Sequence, residues 1–235
     1  MKNYRILKRM KAFILLLLIV GIQHANAAYI VVDTGHTPQH PGAMGANGRV
    51  EYLYNLDMSK AVAEDLIASG NRVLRVSADG KDIKLTERTK QAPDADLFVS
   101  IHHDSMLQEW IDAGRRREFS GFSIFVSEKN PHYEESLGCA KKIGAHMLAI
   151  GEHPSLYHAT PVAGENRPLI DSQYGIHRYD DLVVLKTASI PAVLIEIGVI
   201  ANPDEALRLN QTDTRQKIAL AISQGINECV VATTK

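Results

Sequence analysis

The sequence is poor in cysteine and has no internal repeat, low-complexity tract or Pro- or Ser-rich linker. Its two cysteines, Cys139 and Cys229, allow at most one disulfide bridge. They could form that bridge or remain two separate buried thiols, and neither has a neighbouring histidine that would indicate catalysis or a zinc-ligand pair. The absence of repeats and linkers predicts one domain with one core.

Only one stretch is apolar enough to suggest a membrane. Residues 1–27 combine five Lys and Arg residues, no Asp or Glu, an apolar run over residues 12–22 and an A-x-A site ending at Ala27. This is the layout of a secretory signal peptide, and the run is short for a bilayer span of about 20 residues. An uncleaved anchor is the alternative. We expect residues 1–27 to be removed and residues 28–235 to be exported to the periplasm or the extracellular cell wall without a stable membrane anchor.

Excess positive charge is also lacking. The leader holds five of the 26 Lys and Arg residues and none of the 27 Asp and Glu residues, which leaves 21 basic against 27 acidic residues, a formal charge of −6. This balance argues against nucleic acid or an anionic membrane surface as the main partner.

Short apolar runs rich in β-branched residues alternate with helical patterns. The runs lie at residues 29–32, 73–76, 97–101, 122–126 and 192–197, and helical spacing covers residues 53–70, 137–150 and 215–226. The alternation predicts an α/β domain with a mostly parallel β-sheet flanked by helices on both faces. Residues 151–182 lack clear periodicity, and we interpret them as a candidate ordered lid or regulatory insertion.

Three strand-like runs lead into a residue that can bind a metal or move a proton. His36 follows the first run through a glycine turn, His102 follows the third, and Glu196 follows the apolar residues of the last. Sites in open α/β sheets collect at the carboxyl ends of the strands, so these side chains are expected to converge.

Glu51 is a fourth candidate, because it opens the helix that follows the loop of residues 42–48. It could simply complement the helix dipole. If the helix instead returns it to the same rim, His36, Glu51 and His102 make a catalytic zinc set with an open fourth position. Glu196 could then act as general base and general acid, with a buried salt bridge as the alternative.

Residues next to these candidates have supporting interpretations. His103 should point to the opposite face of its strand from His102 and pack behind the site. Asp33 and Asp104 could each hold a metal-bound histidine in the correct tautomer, or cap a turn.

Four stretches also carry a family resemblance. They are VDTGH at residues 32–36, the glycine loop and EYLYNL at residues 41–56, DLFVSIH at residues 96–102, and PAVLIEIG with Asn202 and Pro203 at residues 191–203. In this order they resemble the motifs of the zinc-dependent N-acetylmuramoyl-L-alanine amidases of the amidase-3 group. The resemblance spans about residues 29–226, and Leu85 to Arg88 resembles a further pattern of the family.

The resemblance implies a twisted sheet flanked by helices and one Zn²⁺ per chain, bound by His36, Glu51 and His102, with Glu196 as the catalytic carboxylate. The implied reaction is hydrolysis of the amide bond between the lactyl group of N-acetylmuramic acid and L-alanine in peptidoglycan. The chain departs from the family pattern at Thr34, Thr37 and the His103-Asp104 pair, which leaves the shape of the groove open.

Two other functions remain open on the residues alone: another exported zinc peptidase acting on wall peptides, and a non-catalytic wall-binding module. We expect peptidoglycan as the partner and a monomeric protein. Family members that act in cell division can carry a helix that covers the zinc until an activator displaces it. By that analogy Glu165 could occupy the open zinc position, and a protein activator is a candidate partner; an ordinary solvent-facing loop is the alternative.

Overall fold

The computed structural model describes residues 27–233, which contain one seven-stranded β-sheet and seven α-helices. The predicted leader lies outside the described residues apart from Ala27. The strands are β1 (Tyr29–Thr34), β2 (Arg72–Val76), β3 (Leu97–Asp104), β4 (Ser123–Val126), β5 (Leu169–Asp171), β6 (Ile176–Arg178) and β7 (Ala192–Val199). The helices are α1 (Glu51–Ala68), α2 (Leu85–Arg88), α3 (Gln108–Asp112), α4 (Tyr133–Ala149), α5 (Val183–Lys186), α6 (Pro203–Leu209) and α7 (Thr212–Thr233).

The sheet is mostly parallel, as predicted. Its strand order is β2-β1-β3-β7-β4-β6-β5. Strands β2, β1, β3 and β7 are parallel to one another, whereas β4 pairs antiparallel with β7, and β5 pairs antiparallel with β6. The chain leaves β1 toward one edge to form β2 and then crosses to the other side of β1 to form β3. This reversal creates a crevice at the carboxyl ends of β1 and β3, where sites in α/β folds form.

Helices cover both faces of the sheet. Helices α1, α4 and α7 bury apolar residues against one face, including Met58, Ile143 and Ile222. On the other face, α5 packs on a cluster that includes Phe98 and Leu194. The central strands are therefore apolar on successive positions because neither face contacts water. The single α/β domain architecture predicted from the sequence is confirmed.

The five predicted strands and three predicted long helices are all present, and the 151–182 segment adds structure that the pattern did not indicate. It contributes β5 and β6, which extend the sheet beyond β4. Cys139 on α4 and Cys229 on α7 form a disulfide with a Cα–Cα distance of 5.0 Å, which settles the choice between a bridge and two thiols.

Among residues 27–233, none of the helices combines the length and the apolar character needed to cross a bilayer.

Candidate metal and catalytic site

Four of the residues singled out in the sequence lie near the carboxyl ends of the central parallel strands. His36 lies two residues beyond the end of β1, His102 is near the end of β3, and Glu196 is on β7. His102 and Glu196 are register partners on adjacent parallel strands. Glu51 is the first residue of α1, which packs against β1 and β3. The strand ends and one helix start therefore bring these side chains to the same crevice.

His36, Glu51 and His102 form a compact cluster. Their candidate ligand atoms all lie within 4.8 Å of one another. His36 Nε2 is 3.0 Å from Glu51 Oε2, and His102 Nδ1 is 3.0 Å from Glu51 Oε1. A tetrahedral zinc ion with bonds of about 2.0–2.2 Å holds neighbouring ligand atoms about 3.3–3.6 Å apart. The donor types of the cluster therefore suit zinc, and its two 3.0 Å separations are slightly shorter than those around a bound ion.

Glu51 is almost fully buried and is held by further hydrogen bonds. Its Oε2 accepts from the backbone N–H of Ala43 at 3.1 Å, and its Oε1 accepts from Asn55 Nδ2 at 3.1 Å. Burial alone raises the pKa of Glu51, but hydrogen bonds with His102 and His36 outweigh it and hold that pKa well below its ordinary value. The side chain is therefore a fixed carboxylate and does more than complement a helix dipole.

Two glycines let the backbone pass close to this cluster. A Cβ at Gly35 would lie 2.4 Å from the His102 ring, and a Cβ at Gly42 would lie 2.3 Å from Glu51 Oε2. Between them, His36 itself has a positive φ of 69°, which costs a residue with a Cβ about 1–2 kcal/mol. The loop conformation is thus specified around the three candidate ligands.

Glu196 differs from Glu51 in its hydrogen bonding. Within the described residues its Oε2 is buried without a hydrogen-bond partner. Burial raises the pKa of Glu196 well above its ordinary value, and the charges of Asp104 and Glu51 add to this effect while Arg167 opposes it. Glu196 lines a cavity of about 610 Å³ together with His36 and His102, so this residue borders the same space as two members of the cluster.

A second group of polar side chains lies on the other side of Glu196. His158 Nε2 is 2.7 Å from Asp104 Oδ2, and its Nδ1 is 2.8 Å from Glu165 Oε2. Arg167 pairs with Glu165, and the Tyr157 hydroxyl donates to Asp104. We call Asp104, Tyr157, His158, Glu165 and Arg167 the His158 network; with Glu196, four of them line a cavity of about 260 Å³.

The charge of His158 follows from its two carboxylate neighbours. Burial alone would lower the pKa of His158, but Asp104 and then Glu165 outweigh it and raise that pKa to about 9. Glu165 is bound to His158 and Arg167. The structure therefore gives no support to Glu165 as an occupant of the fourth zinc position.

The residues flanking the predicted ligands have partners of their own. His103 is buried, its Nδ1 is 2.8 Å from Asn55 Oδ1, and burial lowers its pKa to about 3. Asp33 pairs with Arg88 and accepts from Ser100, and Asp104 belongs to the His158 network. Neither aspartate bonds to His36 or His102, so of the two alternatives for these residues, control of a ligand tautomer has no support in the structure.

The sequence patterns predict no individual role for Asn55, Arg88 or His158. Asn55 and Arg88 lie inside stretches that resemble family motifs, and this position is the one indication of a role that the sequence contains. His158 lies in the aperiodic 151–182 segment, where the sequence offered no comparable signal. Only the fold brings these residues to the site.

Comparisons with known proteins agree with one another. The profile of the Amidase_3 family, described as N-acetylmuramoyl-L-alanine amidase, matches residues 30–228. The chain is similar to N-acetylmuramoyl-L-alanine amidase AmiA of Escherichia coli (strain K12), with 28% identity over 214 residues that cover 84% of this chain and 74% of AmiA.

Solved structures show the same fold. The crystal structure of the N-acetylmuramyl-L-alanine amidase Ami1 from Mycobacterium smegmatis aligns with a TM-score of 0.70 and 22% identity, covering 87% of this chain and 97% of that one. The CwlD amidase from Clostridioides difficile, solved in complex with the GerS lipoprotein, aligns with a TM-score of 0.66 and 22% identity over 88% of this chain and 100% of that one.

Proposed function

The chain belongs to the Amidase_3 family of N-acetylmuramoyl-L-alanine amidases, and from this premise we propose that it is a zinc-dependent peptidoglycan amidase. The bond cleaved joins the lactyl group of N-acetylmuramic acid to L-alanine. The observation that carries the proposal is the convergence of His36, Glu51 and His102 beside the buried carboxyl group of Glu196.

The residues fit the metal that the family implies. Two imidazoles and one carboxylate are a common catalytic zinc set, and the cluster has three members among the described residues, which leaves a coordination position for water or substrate. The closeness of Gly35 and Gly42 to the ligand side chains supports a site built for a small ion. We propose one Zn²⁺ per chain, bound by His36, Glu51 and His102.

When bound, zinc supplies Lewis-acid polarisation of the carbonyl and lowers the pKa of a water molecule. Hydrolysis joins the water oxygen to the lactyl carbonyl carbon, breaks the carbon–nitrogen bond and delivers a proton to the L-alanine nitrogen. We assign that proton transfer to Glu196, first as general base toward the water and then as general acid toward the nitrogen. Its register pairing with His102 supports the assignment.

The test compares Glu196→Gln with a matched buried carboxylate outside the site, Glu205→Gln. Glu205 is 6% exposed and bonds to Arg208 and the Gly121 backbone. We expect Glu196→Gln to bind zinc and lose wall hydrolysis by a factor of at least about 10², whereas Glu205→Gln keeps the wild-type rate. Release of wall fragments and zinc content are measured on folded protein.

Mass spectrometry of the digest identifies the bond. Free lactyl groups on the glycan and stem peptides that begin with L-alanine are the expected products. Release of single amino acids would instead indicate a zinc peptidase, and wall binding without fragment release would indicate a binding module. Full activity of Glu196→Gln would refute the assigned role of Glu196.

We further propose that residues 1–27 are an export leader, and that the mature chain acts as a monomer in the periplasm or cell wall with peptidoglycan as its partner. The basic start, the apolar run and the A-x-A site within residues 1–27 support the export leader. A mature protein that starts at Ala28 in the exported fraction is the expected result, and retention of residues 1–27 there would contradict it.

A protein activator is proposed by analogy with the CwlD amidase, which was solved with a lipoprotein.

A further inference from the structure

Arg88 is a buried charged residue that the proposed reaction does not use. It ends the short helix α2, and its side chain is 3% exposed. A guanidinium group is expensive to remove from water unless each donor is matched. Its contacts therefore indicate what the fold gains from it.

Apart from Nε, which donates to the Ile83 carbonyl at 3.3 Å, the guanidinium group contacts the end of β1 and His36. Nη1 donates to Asp33 Oδ1 at 3.0 Å and to the Thr34 carbonyl at 2.9 Å. Nη2 donates to the His36 carbonyl at 3.1 Å. The second oxygen of Asp33 accepts from Ser100 on β3 at 2.7 Å, which ties the arrangement to the strand that carries His102.

The sheet supports this stretch of backbone only in part: the Gly35 N–H donates to the Ile101 carbonyl of β3 at 3.0 Å. Strand β1 ends at Thr34, so the carbonyl groups of Thr34 and His36 lie at or beyond the end of the ladder. His36 has a positive φ, and Gly35 passes against the His102 ring. The guanidinium group bridges the two carbonyls on either side of Gly35 and thereby fixes the direction in which His36 leaves the strand.

We propose that Arg88 is a positioning residue for the metal site: through the Thr34 and His36 carbonyls it holds the His36 imidazole in reach of Glu51 and His102. The inference rests on the proposed zinc dependence. The Leu85 to Arg88 stretch thereby has a role in positioning His36. A purely structural ion pair with Asp33 would stabilise the fold without affecting the affinity for zinc.

The experiment compares Arg88→Lys with Arg208→Lys. A lysine ammonium keeps the charge at position 88 but lacks the planar fork that reaches both carbonyls and Asp33. Arg208 also bridges two acidic groups, Glu152 and Glu205, and has no contact with the cluster. Both variants should lose stability, so the loss of stability alone does not distinguish the two roles.

Zinc affinity, measured by competition with a chromophoric chelator, is the deciding readout. We expect Arg88→Lys to bind zinc about 10- to 100-fold more weakly than wild type, and Arg208→Lys to bind with wild-type affinity. The absorption spectrum of the cobalt-substituted protein should change in Arg88→Lys and remain unchanged in Arg208→Lys. Wild-type zinc affinity and cobalt spectrum in Arg88→Lys would overturn the proposal.

If Arg88→Lys does not fold, Ser100→Ala takes its place. This change removes one hydrogen bond to Asp33 and should weaken zinc binding severalfold; unchanged affinity would overturn the proposal in the same way. The proposed amidase function and the proposed role of Arg88 would be contradicted by different results. Wild-type protein that binds zinc but does not hydrolyse wall contradicts the proposed function alone, whereas equal zinc affinities of wild type and the variant contradict only the role of Arg88.

Discussion

At the scale of single residues, the candidate zinc site depends on how closely backbone and ligands pack. Gly42 has a positive φ of 74°, and an added Cβ would lie 2.3 Å from Glu51 Oε2 and 2.7 Å from the His36 ring. Gly48 has a similar φ of 81°, but an added Cβ there has no heavy atom within 4 Å. Comparing substitutions at Gly42 and Gly48 therefore separates the effect of backbone strain from the effect of a side chain that displaces the ligands.

We predict that Gly42→Ala lowers zinc affinity at least about tenfold, because the ligands themselves must move. Gly48→Ala should leave that affinity unchanged. Both variants lose about 1–2 kcal/mol in the free energy of unfolding from the left-handed conformation. Chelator competition and thermal unfolding measure the two quantities, and equal zinc affinities in the two variants would show that Gly42 is not constrained by the ligands.

The four converging site residues could be inferred from the sequence because each lies at or near the end of a strand or the start of a helix. The partners of Asp33 and Asp104 could not. Arg88 is 55 positions from Asp33, and His158 is 54 positions from Asp104. Such pairs depend on how the loops return to the sheet, which local patterns do not encode.

At the scale of elements, the 151–182 segment contacts the end of β3 through Tyr157 and His158, which both bond to Asp104. His158 is held between Asp104 of β3 and Glu165 of the segment, with its pKa raised to about 9. Because this value lies above the ordinary pKa of 6.5, the interaction is fully stabilising below pH 6.5 and is lost as the pH rises through about 9.

We predict that the difference in unfolding free energy between wild type and His158→Gln shrinks by about 3 kcal/mol between pH 6 and pH 9.5. His132→Gln, which removes an exposed histidine paired with Glu135, should show a small and nearly constant difference. Denaturant unfolding at each pH, with zinc held saturating, measures both. A constant difference for His158→Gln would contradict the cationic state of His158.

The same segment marks the limit of sequence-based prediction for the fold. The five predicted strands are apolar runs, and they are the strands that build most of the sheet. Strands β5 and β6 have three residues each, Leu-Ile-Asp and Ile-His-Arg, too few to display an alternation. They form because β4 offers a free edge, which is a tertiary cause.

At the scale of the whole molecule, the candidate metal ligands come from three separate parts of the chain. His36 follows β1, Glu51 begins α1 and His102 belongs to β3. A metal that binds all three stabilises only the folded arrangement, because the unfolded chain does not hold them together. Metal binding should therefore be visible in the stability of the domain.

We predict that zinc at about 100 times its dissociation constant stabilises the wild-type fold by about 2.7 kcal/mol. For a chain of this size the melting temperature rises by roughly 5–10 °C relative to chelator-treated protein. His36→Ala should lose most of this rise, whereas His146→Ala, a change on α4 at the pair with Glu228, should retain it. A full rise in His36→Ala would argue against His36 as a ligand.

The register of β3 against β7 has a consequence for how chain length can vary. His102 and Glu196 are register partners in one ladder, so the distance between neighbouring hydrogen-bonded strands, about 4.8 Å, sets their spacing. Exchanging apolar side chains along these strands leaves that spacing unchanged. Inserting or deleting one residue upstream within either strand turns the functional side chain to the opposite face. Insertions and deletions should therefore be tolerated in the connecting loops and excluded from β3 and β7.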